Sequence, residues 1–269
     1  TFTIIGLSNN PDRNFGFMIM WILVYGAIGF LLMPLAYSAV GMQGVLVFFA
    51  LFNLSALPFV RHLPASGVAY AQGDSNAVEL APLYKMMAIA AMFIYFLAQG
   101  VVWAYLFLIG VDSGVGEQGV TYALTLSQFL GIVGALLAAV IANRYGRVSP
   151  LAIGVMLSVI SLVFMFGSMT ATVYAAAVCL FNFAWNMTHP YLLAAMASFD
   201  RTGRLVVHAV AAQMFGLAVG PALAASVIGG GDYSIVIQLG MALFVLSLFV
   251  VLPPVLVARK NDSNSNYQM

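Results

Sequence analysis

Apolar residues in this chain form long continuous runs that are separated by short polar segments. Eight runs are each long enough to cross the roughly 30 Å hydrocarbon core of a bilayer as an α-helix. They cover residues 15–38, 42–60, 86–110, 120–142, 150–168, 172–198, 206–229 and 233–257. The short alternating strands of a membrane β-barrel are not the pattern here. The runs therefore predict an all-α membrane protein with eight transmembrane helices.

The longest polar segment divides the chain into two groups of predicted helices. Residues 61–85 contain several prolines, glycines and charged residues, a composition typical of a flexible linker. We expect residues 1–60 to form the last two spans of one bundle, and residues 86–258 to form a six-helix bundle. Residues 259–269 form a polar tail. Because Thr1 to Gly6 resemble the end of an earlier helix, we expect further helices upstream.

Composition identifies the solvent and excludes several classes of function. The chain is 63% hydrophobic and 6% charged, whereas about a quarter of the residues in a soluble domain are charged. A net charge of +1 argues against a nucleic-acid partner, which needs clustered cations. Cys179 is the single cysteine, and no His or Cys pair has metal-ligand spacing. No catalytic triad is legible, so we predict no cofactor, no metal and no enzymatic activity.

Charged residues are distributed unequally between the two sides of the predicted bundle. With eight spans, all nine basic residues fall on one side: Arg13, Arg61, Lys85, Arg144, Arg147, Arg201, Arg204, Arg259 and Lys260. The loops on the other side contain Asp112, Glu117 and Asp232. By the positive-inside rule the basic side is cytoplasmic. We therefore expect a multi-pass protein of the inner (plasma) membrane with both ends of the chain in the cytoplasm.

Two of the predicted cytoplasmic loops share the pattern x-Arg-x-Gly-Arg. The first loop is Asn143-Arg144-Tyr145-Gly146-Arg147, and the second loop is Asp200-Arg201-Thr202-Gly203-Arg204. The first loop resembles the G-x-x-x-D-R-x-G-R signature of the major facilitator superfamily, with Ala139 at its first Gly and Asn143 at its Asp. That resemblance implies twelve helices in two halves joined by a cytoplasmic linker, and secondary transport as the activity. The linker at 61–85 and the six spans after it fit this plan.

Each of these loops has two interpretations. As gating loops they would form contacts between helices that break and reform during transport, with the arginine fork bonding helix ends and carboxylates. As simple turns they would need only a glycine with positive φ and cations at the headgroups. The gating candidates are Asn143, Arg144, Gly146 and Arg147, together with Asp200, Arg201, Gly203 and Arg204.

Uncharged polar side chains recur near the middle of several predicted spans. One face of the sixth span carries Asn182, Trp185, Asn186 and His189. The third span carries Tyr95, Gln99 and Trp103 at intervals of four residues. As the lining of a substrate cavity these residues would suit a neutral or weakly charged organic solute. As packing groups they would bond helices to one another. The candidates are Tyr95, Gln99, Trp103, Gln128, Asn182, Trp185, Asn186, His189 and Gln213.

Together these features predict a secondary transporter that moves a small organic solute by alternating access within the lipid bilayer. We expect coupling to an ion or proton gradient, with His189 as the one imidazole well inside a span. The alternative is a membrane receptor or assembly subunit on a transporter-like scaffold, because a fold does not dictate a function.

Overall fold

A computed structural model describes residues 2–55, 57–61, 79–229 and 231–266. Within these residues the chain forms ten α-helices and no β-strand, which confirms the all-α prediction. Most of the predicted linker lies outside the described residues. The helices are α1 (Phe2–Gly6), α2 (Pro11–Leu54), α3 (Leu57–Val60), α4 (Pro82–Trp103), α5 (Leu106–Asp112), α6 (Glu117–Ile141), α7 (Val148–Val163), α8 (Ala171–Ser198), α9 (Arg204–Val227) and α10 (Ser234–Asn266).

Several of these helices are suited to a membrane by length and composition. In the described part of the chain, five stretches are long and apolar enough to cross a bilayer: Leu35–Leu54, Pro82–Trp103, Glu117–Ile141, Arg204–Val227 and Ser234–Asn261. Helix α7 is apolar but has only 16 residues. Helix α8 has 28 residues but contains Asn182, Asn186 and His189, which lower its hydropathy. Several apolar helices in one chain indicate a multi-pass membrane protein.

Helix α2 covers two of the predicted spans and contains a reversal of the chain. At Gly41 the backbone leaves the helical region, with φ of 64° and ψ of −178°. A straight helix would separate Tyr25 and Phe52 by about 40 Å, at 1.5 Å per residue. Their ring centroids are instead 5.4 Å apart and the rings are stacked. The segments before and after Gly41 therefore run antiparallel. The turn is possible because glycine adopts this conformation without the strain of a Cβ atom.

The remaining helices differ from the predicted spans mainly at their ends. The predicted span 86–110 consists of α4 and α5, with an interruption at Ala104 and Tyr105. Helix α10 continues past the predicted end of the last span and includes residues 259–266 of the predicted polar tail.

Helix α8 occupies the centre of the bundle, and its buried face carries large side chains. Tyr174, Phe181 and Tyr191 are almost completely inaccessible to solvent. Helices α6 and α7 pack against α8, and α4 packs against α9 and α10. The α4–α9 crossing is close: a Cβ atom on Gly220 would lie 2.6 Å from the carbonyl carbon of Gly100. Small residues at such crossings allow backbones to approach in membrane proteins.

Candidate functional site

A buried ion pair joins the start of α2 to the first loop. The Arg147 Nε atom donates to Asp12 Oδ1 at 2.9 Å, and Nη2 donates to Oδ2 at 2.9 Å. Asp12 is 1% exposed, and the Arg147 side chain is 18% exposed. Two parallel hydrogen bonds between a guanidinium and a carboxylate form a strong and directional contact. The pair connects residues that are 135 positions apart in the chain.

Local sequence explains why both partners of this pair are in place. Pro11 occupies the first turn of α2, where a missing backbone donor costs nothing, and Asp12 follows it. On the other side, Gly146 has φ of 69°, and this turn brings Arg147 to the start of α7. The first loop itself, residues 143–147, contains no acidic residue. Asp12 therefore supplies the carboxylate that the loop itself lacks.

Helices α2 and α6 touch next to the ion pair. A Cβ atom on Gly16 would lie 2.7 Å from the Cβ atom of Ala139, so the two helices meet there with only the Ala139 methyl group between them. Phe15 is fully buried beside this contact. Farther along α2, Trp21 and Tyr25 are exposed. The contact of α2 with α6 and α8 is thus concentrated at the end that carries the ion pair.

Two other polar residues of the first loop take no part in the ion pair. Asn143 and Arg144 are exposed. They line a cavity of about 500 Å³ together with Asn10 and Arg13 from the start of α2. The first loop therefore contributes to two features, a buried ion pair and an open basic cavity.

The second loop is organised around Asp200. Its carboxylate accepts hydrogen bonds from the Thr202 hydroxyl at 2.7 Å and from the backbone N–H groups of Arg204 and Leu205 at 2.8 and 3.0 Å. Burial alone would raise the pKa of the Asp200 carboxyl, but the bonds from Thr202, Leu205 and Arg204 outweigh it, and the net pKa is lowered. Gly203, with φ of 67°, makes the tight turn possible. Asp200 thus caps the start of α9.

The end of the predicted linker packs on this second loop. Lys85 forms an ion pair with Glu79, and its Nζ atom lies 3.7 Å from Asp200 Oδ1. The backbone N–H of Arg201 donates to Glu79 Oε2 at 3.4 Å. The two loops with the same sequence pattern therefore differ: the first holds α2 through an arginine side chain, and the second holds its own helix start through an aspartate.

Two polar residues of α8, Asn182 and Asn186, face helix α6. Asn186 Nδ2 donates to Asn182 Oδ1 at 2.9 Å, and Asn182 Nδ2 donates to Ser127 Oγ at 3.0 Å. A Cβ atom on Gly131 would lie 2.8 Å from Asn186 Nδ2. Asn182 and Asn186 are both buried. This pair therefore lies in the α6–α8 contact, where its amides satisfy one another and a serine.

His189 and Gln213 meet between α8 and α9. The His189 Nε2 atom lies 3.0 Å from Gln213 Oε1, within hydrogen-bond distance. The ring of Phe96 meets the imidazole edge-on, with centroids 4.8 Å apart. Sequence reasoning singled out both polar residues but did not predict that they form a pair, because each lies on a different helix.

Helix α4 contributes a second buried polar pair. Gln99 Nε2 donates to the Tyr95 hydroxyl at 3.2 Å, and Gln99 is completely buried. Among the described residues, Gln99 Oε1 and the Tyr191 hydroxyl are buried atoms without a hydrogen-bond partner. An unmet buried acceptor costs about 1–3 kcal/mol. Gln99 Oε1 is therefore an acceptor that the described residues leave without a donor.

The two tryptophans among the predicted cavity residues contact each other, whereas Gln128 takes part in none of the hydrogen bonds or ring contacts described above. Trp103 and Trp185 form an edge-to-face pair with centroids 5.7 Å apart. Trp103 is 37% exposed, and Gln128 is half-buried. The predicted cavity residues thus form a set of separate contacts on α4, α6, α8 and α9: Tyr95 with Gln99, Asn182 with Asn186, His189 with Gln213, and Trp103 with Trp185.

Sequence reasoning missed Asp12 and Ser127. Asp12 carried one available signal, an acid next to a proline at a helix start, but no spacing rule links it to Arg147. Ser127 is a common residue of membrane helices and becomes notable only beside Asn182.

No protein-family model matches this chain, and no curated protein sequence matches it significantly.

Proposed function

We propose that this chain is part of a secondary transporter of the major facilitator type, which moves a small organic solute by alternating access. In this proposal eight helices cross the inner (plasma) membrane, and both ends of the chain lie in the cytoplasm. Transport is coupled to an ion or proton gradient. The lipid bilayer is the surrounding solvent, and no cofactor takes part.

The observation that carries the proposal is the ion pair between Asp12 and Arg147. Alternating access requires contacts at one end of the molecule that can form and break as two bundles rock. The pair lies at such an end, joins α2 to the six-helix bundle, and involves an arginine of the signature-like loop. A bidentate ion pair of this kind stabilises the state in which the helices are in contact, and it is lost when the helices separate.

The distribution of charge and the reversal in α2 support the proposed topology. The antiparallel segments on either side of Gly41 agree with two spans in place of one long helix. Asp112 and Asp232 line one cavity of about 250 Å³, at the end of the bundle where α6 begins. Arg144 and Arg147 follow the opposite end of α6. The basic end is the cytoplasmic end in this proposal.

The substrate would bind near the aromatic and amide side chains of α4, α8 and α9. Gln99 Oε1 needs a donor, and Trp103 and Trp185 offer aromatic faces. These groups favour a neutral or weakly charged organic solute with hydroxyl groups or a ring. His189, paired with Gln213, is the candidate to carry a proton.

A receptor or assembly subunit on the same scaffold is the second candidate. One observation favours it: Asn182, Asn186 and Ser127 bond to one another in the α6–α8 contact and line neither of the two cavities described above. Polar side chains of this kind can serve helix packing alone.

A transport screen separates the two candidates. The full-length protein is reconstituted in liposomes, and uptake of a panel of sugars, polyols and aromatic acids is measured with and without an imposed proton gradient. We expect at least one solute to accumulate, and Arg147→Gln to slow its transport while its binding affinity is retained. A matched control is Arg259→Gln, which removes a basic residue outside both loops. No uptake of any solute, together with stable binding of another membrane protein, would favour the assembly subunit.

A further inference from the structure

A cavity at the basic end of the molecule has the character of an anion site. Its volume is about 500 Å³, and it lies between the start of α2 and the end of α6. Its polar lining residues are two arginines and two asparagines: Arg13, Arg144, Asn10 and Asn143. Among the described residues that line it there is no acid. Arg13 lies on α2 and Arg144 lies on the loop that follows α6, so the cavity exists only while this loop and α2 are together.

Neighbouring residues hold the two arginines around this space. The Arg13 guanidinium lies over the Phe17 ring, 5.5 Å from the centroid, and both residues line the cavity. Ala142 ends α6 with φ of 46°, a positive φ that no other non-glycine residue among those described adopts. This turn brings Asn143 and Arg144 alongside α2. A left-handed alanine is costly, and such conformations cluster where a site requires them.

Charge at the cavity favours an anion despite the end of α6. The C-terminus of a helix carries only about half a negative charge. Arg13 and Arg144 supply two full positive charges. Asp12, the nearest acid in sequence to Arg13, is already bonded to Arg147. A phosphate group, which accepts several hydrogen bonds and pairs with arginine forks, matches this set of donors.

Apolar residues on the same helix faces point to a lipid as the source of the phosphate. Phe17, Ala139 and Val140 form the apolar part of the wall. One turn farther from the basic end on each helix lie Trp21 and Leu136, which are 65% and 40% exposed. A phospholipid would place its headgroup between the arginines and its acyl chains against these side chains. A free phosphate ester would leave Trp21 and Leu136 without a contact.

We propose that this cavity binds the phosphate of an anionic phospholipid headgroup, with Arg13 and Arg144 as its cationic contacts. A lipid bound there bridges α2 and α6 next to the Asp12–Arg147 pair, and so favours the state in which the two helices touch. The inference rests on the membrane placement in the proposed function and not on transport itself.

Lipid retention by the purified full-length protein tests this site directly. The protein in detergent micelles is titrated with phosphatidylglycerol or with phosphatidylcholine, and bound lipid is counted by native mass spectrometry. We expect phosphatidylglycerol to bind in preference to phosphatidylcholine. Arg13→Gln combined with Arg144→Gln should weaken phosphatidylglycerol binding about 30-fold, since each cation near an anionic lipid contributes about 1 kcal/mol and 1.4 kcal/mol is a factor of ten.

Control arms distinguish the lipid from other anions and from general charge. Arg259→Gln, which changes the charge at a distance from the cavity, should bind phosphatidylglycerol as the wild type does. Inorganic phosphate at millimolar concentration should not displace the lipid. Equal binding of the two lipids by the wild type overturns the proposal even if the double variant fails to fold. Displacement by inorganic phosphate, or unchanged binding in the folded double variant, overturns it as well. Because no arm measures transport, failure of the transport screen leaves this result unaffected.

Discussion

The Asp12–Arg147 pair predicts an asymmetric response to the loss of either partner. Arg147→Gln leaves the Asp12 carboxylate, which is 1% exposed, without a cation. Removal of one partner of a fully buried ion pair costs about 3–5 kcal/mol. Since the Arg147 side chain is 18% exposed, we expect the lower end, about 3 kcal/mol of unfolding free energy. Asp12→Asn leaves a cation that can reach water or headgroups, and we expect a loss of about 1 kcal/mol.

A double-mutant cycle measures the interaction itself. The unfolding free energies of the wild type, both single variants and the double variant are obtained by reversible denaturation in mixed micelles with sodium dodecyl sulfate. The double variant no longer contains the buried unpaired carboxylate, so its loss should be smaller than the sum of the single losses by about 2 kcal/mol. Arg259→Gln is the matched control: it removes an exposed arginine outside both loops and should change stability by less than about 0.5 kcal/mol.

Two outcomes would refute this reasoning. Additive losses in the cycle would mean that Asp12 and Arg147 do not interact in the folded protein. A larger loss for Asp12→Asn than for Arg147→Gln would mean that the arginine, and not the carboxylate, is the group that cannot reach solvent.

Four further predictions follow from the other contacts. The pKa of the Asp200 carboxyl is lowered in the folded protein, so the carboxylate stabilises the fold above its unfolded pKa. This stabilisation is lost as the pH falls through the folded pKa. The thermal stability of Asp200→Asn should therefore decrease less than that of the wild type below about pH 4, the ordinary range of an Asp carboxyl. Asn186→Ala should lower the unfolding free energy by about 1 kcal/mol if the residue packs α8 on α6. Unchanged stability with weakened solute binding would instead assign Asn186 to the predicted substrate cavity. Gln99→Met should leave thermal stability unchanged or raise it, because a buried acceptor without a partner is removed; a marked loss would show that Oε1 is satisfied. In a Cys179→Ser background, a cysteine at Ser113 should react with an impermeant thiol reagent from the periplasm and a cysteine at Tyr145 should not, and the reverse pattern would invert the proposed topology.

Which polar residues face which helix could be predicted only in part. The spacing on α8 predicted a single face that carries Asn182, Trp185, Asn186 and His189. Asn182 and Asn186 do bond to each other beside α6, because i, i+4 contacts are local. Trp185 instead packs on Trp103 of α4, and His189 lies against Gln213 of α9. The partner of that face was not predictable, since Ser127 and Gly131 lie on another helix and nothing in their spacing refers to α8. The close crossing of Gly220 and Gly100 was likewise not predictable, because the two glycines lie on different helices.

By itself, the sequence determined the all-α class and the approximate positions of the apolar helices, because in a bilayer each apolar run must satisfy its own backbone hydrogen bonds. It also contained the two x-Arg-x-Gly-Arg loops, and it predicted that the basic residues lie on one side of the bundle. Only the tertiary structure decided that these loops differ, with Arg147 bonded to Asp12 and Asp200 bonded to the start of α9. Helix formation depends on contacts three or four residues apart, whereas the ion pair joins residues 135 positions apart, and only the packing of whole helices brings them together.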